Sequence, residues 1–260
     1  MKAMILAAGL GTRLRPLTND RPKALVEVAG HTLLEITLRR LQSFGIQEVI
    51  VNVHHFAEMV LEYLRTHDNF GLRIEISRED DLLLDTGGGL KKAAWFFLEG
   101  PVKDPFFVHN VDVISTIDLG RMLDFHRRQN ALATLAVQQR DTSRRLLFDG
   151  HNRLCGRQTA NHDPEMVDGA RDVTPLAFSG IHVISPELLG MMTEQGAFSI
   201  INTYLRLAAA DEKILGFRAD EYYWRDLGKP EHIAQASVDI ERGVLVLPVG
   251  AQAPGTTPLR

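Results

Sequence analysis

Ala8-Gly9-Leu10-Gly11-Thr12-Arg13-Leu14-Arg15, followed by Lys23, is the first stretch of the chain with the means to do chemistry. Glycine tolerates a positive φ and presents its amide with no Cβ in the way, so Gly9 and Gly11 can turn N–H groups toward an anion. Thr12 can cap the turn that follows. Arg13 and Arg15 place guanidinium groups just past the loop, and Pro16 and Pro22 stiffen the excursion that ends on Lys23. Several cations on one glycine turn fit a polyphosphate better than a neutral ligand. Neither of the two common phosphate loops is present. Leu14 stands where Gly-x-Gly-x-x-Gly would have its third glycine, and this stretch has no Gly-Lys pair. An ordinary strand–turn–helix with surface arginines is the competing reading.

Two carboxylates form a second candidate group. Pro105-Phe106-Phe107-Val108-His109-Asn110-Val111-Asp112 runs an apolar strand straight into Asn-x-Asp. A buried strand rarely ends on a carboxylate without a partner, and a cation is the natural one. Asp226 lies in Trp224-Arg225-Asp226-Leu227-Gly228, where it serves equally well as a ligand or as a turn cap. Thr86-Gly87-Gly88-Gly89 reads as the opening of a helix over Leu90 to Leu98, its glycines letting backbone approach something flat or anionic. A flexible strand-to-helix joint is the alternative there. His54 and His55 follow a strand directly and read as solvated or capping residues. Cys155 reads as a passive thiol.

The elements that must position these groups are legible from periodicity. Met4 to Ala8 is a short apolar run of the kind that makes a buried parallel strand. His31 to Phe44 reads as an amphipathic helix ended by Gly45, Gln47 to Val53 as a β-branched strand, Phe56 to Arg65 as a helix, and Leu72 to Ile76 as a strand. This alternation, with short connections, predicts parallel βαβ units in an α/β fold. In such sheets ligands sit beyond the carboxyl ends of the strands, where the glycine turn already lies. Helices are predicted over Asp118 to Asn130, Ser199 to Ala210 (with Ser199 as N-cap) and Glu231 to Arg242. Strands are predicted over Ala131 to Gln138, Pro175 to Ile184 and Lys213 to Arg218. Leu146 to Leu154 reads as a hairpin, and residues 156–174 as a polar, irregular, mobile loop.

At 260 residues, 45% hydrophobic and 24% charged, the chain has the makeup of an ordinary globular protein with one substantial core. A net charge of −4 gives no electrostatic reason to expect nucleic-acid or membrane-surface binding. No apolar run reaches the roughly 20 residues a membrane helix needs, and the first strand is too short for a signal peptide. A single cysteine excludes an internal disulfide and fits a reducing cytoplasm.

Taken together, Gly9-Leu10-Gly11-Thr12-Arg13-Leu14-Arg15-Pro16-Leu17-Thr18, then Arg21-Pro22-Lys23-Ala24-Leu25, the Asp112 strand and the Asp226 turn resemble the sugar-1-phosphate nucleotidyltransferases. The resemblance spans roughly residues 1–240. It implies a Rossmann-like three-layer sandwich with a mostly parallel central sheet and a small antiparallel sugar-side subdomain. Within a domain of residues 1–242, residues 1–138 would serve mainly the nucleotide and 139–242 mainly the sugar. It implies NTP and sugar 1-phosphate as substrates and Mg²⁺ as cofactor, held by Asp112 and Asp226. Arg13 and Lys23 would act on the phosphates with Asp112. Ala8, Gly9, Gly11, Thr12, Asn110, Thr86, Gly87 and Gly88 would contact the nucleotide, and Ser179 and Gly180 the sugar.

Three departures from the family pattern stand out. Val111 occupies a place usually held by glycine, and Asp85 stands where many members have glycine. The usual mid-chain Glu-Lys sugar contact has no counterpart, because no lysine lies between Lys103 and Lys213; Arg157 or Arg171 would have to substitute. No hexapeptide repeats occur in the tail 243–260. The shorter uridylyl- and guanylyltransferases are the members most resembled, with UTP ahead of GTP. Two rival readings remain: a phosphocholine cytidylyltransferase, and a non-catalytic nucleotide sensor on the same fold.

Overall fold

The computed structural model describes residues 1–100, 104–160, 162–167, 169 and 172–248. Its sheet is built outward from β1 (Lys2–Leu6), the apolar run after Met1. A ribbon of β2 (Glu27–Val28) and β3 (His31–Thr32) leads into α1 (Leu33–Ser43), whose first turn is capped by Thr32 accepting from the Glu35 amide at 3.1 Å. Then β4 (Glu48–Val53), α2 (Ala57–Thr66) and β5 (Arg73–Arg78) add two parallel strands to one side of β1.

After β5 the chain doubles back. α3 (Asp85–Lys92) and α4 (Ala94–Leu98) carry it to β6 (Phe106–Asn110), which pairs in parallel with the other side of β1. The order of strands therefore reverses between β1 and β6, and that gap is where open α/β sheets bind ligands. The glycine turn leaves the carboxyl end of one strand, and Asp112 leaves the other.

β7 (Val113–Ser115) continues from Asp112, and α5 (Leu119–Gln129) starts on Asp118, whose carboxylate accepts from the Arg121 amide at 2.9 Å. Next come β8 (Ala133–Gln138), the antiparallel hairpin of β9 (Arg144–Phe148) and β10 (Leu154–Thr159), and the short β11 (Glu165–Met166). β12 (Thr174–Ile184) is eleven residues long and belongs to two layers of pairing. Thr174–Leu176 pairs with β9, whereas Ile181–Ile184 runs antiparallel to β6. Its register with β8 shifts between Phe178 and His182, around Gly180 at φ 74°. α6 (Glu187–Gly190), α7 (Ile200–Ala209), β13 (Ile214–Arg218), β14 (Trp224–Asp226) and α8 (Pro230–Glu241) complete the described chain.

The core lies on both faces of the sheet, as alternation along β1 requires. Ala3 and Ile5 join a cluster with Leu34, Leu38, Val60, Met122 and Ile233 from α1, α2, α5 and α8. Met4 joins the opposite cluster with Leu90, Phe96, Tyr204 and Leu205 from α3, α4 and α7. This is a three-layer α/β sandwich with a mostly parallel sheet. Among the described residues no helix is long and apolar enough to cross a membrane.

Two expectations need correction, and one element was not foreseen. The helix predicted to begin at Leu90 begins at Asp85, so the three glycines lie inside it, and it breaks at Ala93. Residues expected to be an irregular loop are partly paired, because β10 runs to Thr159 and Glu165–Met166 folds back on it. α6 carried no signal that was read.

The glycines sit in α3 because neighbouring backbone lies against them. A Cβ on Gly88 would stand 2.4 Å from the Gly196 carbonyl oxygen. Gly→Ala ordinarily gains a helix about 1 kcal/mol, while overpacking costs about 1–3 kcal/mol. A backbone carbonyl cannot rotate aside, so the clash wins. Gly88→Ala is expected to lower unfolding free energy by about 2 kcal/mol in urea titration; a gain would show that the loop yields.

Candidate active site

The loop after β1 is shaped by Gly11. Its φ of 64° lies in the left-handed region, and its carbonyl accepts from the Leu14 amide and the Thr18 hydroxyl, each at 2.9 Å. A Cβ there would come within 3.0 Å of Thr18 Cγ2 and 3.1 Å of Lys23 Cβ, so glycine is required by conformation and by space. Gly9 differs: nothing lies within 4 Å of where its Cβ would be, leaving its backbone open to a ligand. The short turn Thr12–Leu14 buries Leu14 and leaves Arg13 facing outward to the cleft.

Beyond β6, Val111 keeps the sheet pairing through its amide to the Leu6 carbonyl at 3.1 Å, and its side chain is buried in the core. Its φ is not positive, so the valine at this usual glycine position leaves the turn intact. Asp112 is 7% exposed and forms an ion pair with Lys23 Nζ. β14 lies antiparallel to β7 with Asp226 opposite Val113, and the Leu227 amide donates to the Asp112 carbonyl at 2.7 Å. The two carboxylates thus leave adjacent strands at the same end of the sheet. Asp226 Oδ1 accepts from the Gly228 amide at 2.6 Å. A Cβ on Gly228 would sit 2.6 Å from that oxygen and 2.8 Å from a terminal nitrogen of Arg13. Arg13, Lys23, Asp112 and Asp226 are therefore brought together. Gly228 is a site residue the sequence reading did not single out, although it closes the Trp-x-Asp-x-Gly stretch.

Asp112 and Asp226 supply hard oxygen donors, and Lys23 shows that a cation is accepted at Asp112. Among the described residues no cluster of three or more His, Cys, Asp or Glu exists. Two carboxylates with the remaining positions left to phosphate and water is the donor set that suits Mg²⁺, so the residues fit the ion.

A cleft of about 1160 Å³ opens beside these groups. Its walls carry Arg13, Arg140, Arg144, Arg145, Arg157, Arg225 and Lys229 against Asp141 and Asp226. Most of these cations are already paired: Arg145 with Asp141, Arg157 with Glu165, Arg225 with Asp239 and Lys229 with Glu231. Arg157 also donates to Asn202 at 2.9 Å, so it is committed within the wall. Arg171 lies outside the described residues, as does the tail beyond 248.

Arg140 is the cation the sequence reading missed. It lies 3.6 Å over the Trp224 ring and donates from Nη2 to the Phe178 carbonyl at 2.7 Å. Its buried Nε has no hydrogen-bond partner, and no carboxylate pairs with it among the described residues. Burial pulls its pKa below the ordinary arginine value, with the charge of Asp226 opposing. The signal available was position: two residues past β8, near the ligand end of the sheet.

Of the expected sugar pair, only Gly180 lines the cleft, its φ of 74° bringing backbone against Asn110 Nδ2. Ser179 is fully buried, its hydroxyl is unpartnered and its carbonyl accepts from Trp224 Nε1 at 2.7 Å. The expected sugar contact therefore does not fall to its side chain. The amides of Gly87 and Gly88 are also engaged, both to the Phe198 carbonyl, and the Thr86 hydroxyl accepts from the Ile200 amide. The flat group Gly87 approaches in this structure is the Phe198 ring, 2.4 Å from where its Cβ would be. His54 is likewise occupied, with Nδ1 at 2.5 Å from the Glu79 carbonyl.

Among the described residues three histidines are buried in the fold: His109, His126 and His182. Burial, then the charge of Arg40, lowers His109 to about 4, and burial, then His109, lowers His182 to about 3. Burial and Arg127 lower His126 to about 4. Folded protein keeps them neutral while the unfolded chain takes up protons below about 6.5. Their contribution is complete above that value and lost as pH falls toward the folded values. Unfolding free energy at pH 5.5 is expected to be about 4 kcal/mol below that at pH 7.5. A urea midpoint that stays level across that range would contradict it.

Comparison with known proteins places the chain in a family and shows the same fold. A family model described as nucleotidyl transferase matches residues 2–146. N-acetylmuramate alpha-1-phosphate uridylyltransferase of Caulobacter vibrioides is 39% identical over 237 residues, covering 88% of this chain and 92% of the relative. Mannose-1-phosphate guanylyltransferase of Mycobacterium tuberculosis is 31% identical over 252 residues, covering 95% of this chain and 66% of the relative. Among solved structures, HddC from Yersinia pseudotuberculosis complexed with GMP-PN has a TM-score of 0.72 at 21% identity, covering 92% of this chain and 99% of its own. A putative glucose-1-phosphate thymidylyltransferase from Bacillus anthracis has a TM-score of 0.74 at 18% identity, covering 92% of this chain and 94% of its own. These structural likenesses speak to the fold alone. On the family model and the full-length relative, the chain belongs to the nucleotidyl transferase family, among its sugar-1-phosphate nucleotidyltransferases.

Proposed function

We propose that the protein transfers the nucleotidyl group of an NTP to a sugar 1-phosphate, and that UTP is its nucleotide. The observation that carries this reading is the convergence of Arg13, Lys23, Asp112 and Asp226 at the β1–β6 gap. A phosphate oxygen of the sugar 1-phosphate attacks the α-phosphorus. The bond from that phosphorus to the bridging oxygen breaks, and pyrophosphate leaves with the bond's electron pair. Both reactants are anions, so the reaction needs charge compensation and alignment more than acid–base groups. The Gly9–Gly11 amides and Arg13 hold the departing β,γ-phosphates, and Thr12 and Asn110 border the nucleotide. Lys23 lies at the α-phosphate. Asp112 and Asp226 are the residues that would hold Mg²⁺, which when bound supplies charge neutralisation at the α-phosphate. Ala8 and the Thr86–Gly88 turn flank the base. The uridylyltransferase relative supports UTP over GTP.

Arg140 takes the place of the missing lysine and receives the phosphate of the sugar 1-phosphate beside Gly180. In this division residues 1–138 serve the nucleotide and 139–242 the sugar. Arg144 has no carboxylate partner among the described residues and faces the same cleft. A sugar that carries an acid group of its own, as N-acetylmuramate does, would complement it, which makes that 1-phosphate the first acceptor to try and nucleotide-sugar supply for the cell wall the role. The reaction is assigned to the cytoplasm, where NTPs are made. The phosphocholine reading is disfavoured because it needs an open aromatic face and acids, whereas Arg140 covers Trp224 and cations dominate the cleft. The sensor reading leaves both carboxylates and both cations without a purpose.

The test is reverse turnover with pyrophosphate and a panel of UDP-, GDP-, dTDP- and CDP-linked compounds. UTP formation from one UDP-sugar is expected; inertness toward all would sink the proposal. Arg140→Gln should raise the KM of the sugar 1-phosphate about 10- to 100-fold, the worth of a hydrogen bond to a charged group. The NTP KM should stay within about twofold. A shift in the NTP KM instead would move Arg140 to the nucleotide.

A further inference from the structure

One pair of buried polar side chains links the glycine loop to the start of α3. Asn52, at the carboxyl end of β4, accepts from the Ala7 amide through Oδ1 at 2.7 Å. Its Nδ2 donates to Glu79 Oε1 at 2.7 Å, and Glu79 Oε2 accepts from the Leu84 amide at 2.8 Å. Asn52 is 3% and Glu79 1% exposed. No cation pairs with Glu79 among the described residues. A buried carboxylate without a counterion is costly, and here its oxygens are spent on these contacts. α3 presses on the pair as well: a Cβ on Gly89 would lie 2.8 Å from Glu79 Oε1 and 2.9 Å from Asn52 Nδ2. The third glycine of the run therefore makes room for this pair.

Resting on the nucleotidyltransferase reading, we propose that Asn52 and Glu79 are positioning residues that set the separation between Ala7–Gly9 and Leu84–Thr86, and so fix the nucleotide pocket. Neither side chain touches substrate. The polarity of the chain is fixed at both ends, because the Ala7 and Leu84 amides can only donate. The two side chains between them must together offer two acceptors outward and one donor–acceptor pair inward. The inward pair has two solutions, amide then carboxylate as found, or carboxylate then amide.

That choice supplies the test. Glu79→Gln forces one donor–donor contact whichever way the amides turn, and Asn52→Asp sets two carboxylates against each other. Asn52→Asp/Glu79→Gln re-forms all three hydrogen bonds with the inner one reversed. Calorimetry with UTP, GTP, CTP and dTTP identifies the nucleotide that wild type binds. Each single variant is expected to weaken that Kd about tenfold or more, as small displacements of a binding group do, with the sugar 1-phosphate KM within about twofold. The swapped pair is expected to return Kd to within about twofold of wild type. Wild type that binds none of the four overturns the functional reading and this inference with it. Wild type that binds, with single variants that lose melting temperature but keep Kd, overturns the positioning role alone. If a single variant does not fold, the swapped pair decides. Should that pair fail to fold, or fold and bind as weakly as a disrupted site, the positioning role is overturned.

Discussion

Asp112→Asn is expected to give a folded protein whose turnover falls by about 10²–10³, the loss on removing one preorganised charge at a reacting phosphoryl group. The fold should survive for a local reason. The backbone carbonyl of this residue, not its side chain, holds the Leu227 amide, and Val111 and Val113 on either side carry the packing. Asparagine matches the shape and loses only the charge. The loss is felt twice, because Lys23 is left without its partner and the pair with Asp226 no longer offers two anions to a divalent ion. Far-UV circular dichroism and a urea midpoint near wild type, beside the loss in kcat, are the expected outcome. Full turnover in the variant would remove Asp112 from the chemistry.

Lys23→Met is expected to lower kcat by about 10² while leaving NTP affinity within roughly tenfold. The methionine stem can follow the path of the lysine, whose Cβ lies beside Gly11, so the loop keeps its support. What goes is the ammonium that, among the described residues, pairs with Asp112. Lys23→Arg should not rescue, since the longer planar guanidinium cannot replace a compact point charge where the stem is pinned. The variant combining Lys23→Met with Asp112→Asn should fall well short of the product of the two losses, because the residues act as a unit. Multiplicative losses, read from kcat, would show instead that Lys23 and Asp112 work at separate phosphates.

Local patterns in the sequence carried the βαβ order, the glycine turn, and Arg13, Lys23 and Asp112, because each belongs to a single strand and the loop it feeds. Thr32, Asp118 and Ser199 as caps illustrate the reach of such signals: Asp118 and Ser199 lie at predicted helix starts, while Thr32 caps a first helix that begins at Leu33, where its apolar pattern begins, and not at the predicted His31. Asp226 was legible only by likeness to a family pattern, since its place depends on β14 finding β7 across more than a hundred residues. Arg140 and Ser179 depend on the register shift in β12, a feature of three strands meeting, and no local periodicity encodes it. The glycines at 87 and 88 stand out in sequence as places where something could approach the backbone, but what approaches them here is the chain itself. The approaching groups, Phe198 at Gly87 and the Gly196 carbonyl at Gly88, come from far along the chain. Glu79 carries no signal in the sequence, where it stands between Arg78 and Asp80, and only the fold reveals that it is buried against Asn52.

The most direct measurement is pyrophosphate release by the wild-type protein with Mg²⁺, each NTP in turn, and a panel of sugar 1-phosphates with phosphocholine included. Release that requires both one NTP, expected to be UTP, and one sugar 1-phosphate is the predicted result. Release with CTP and phosphocholine, or no release from any pair while an NTP still binds by calorimetry, would contradict it.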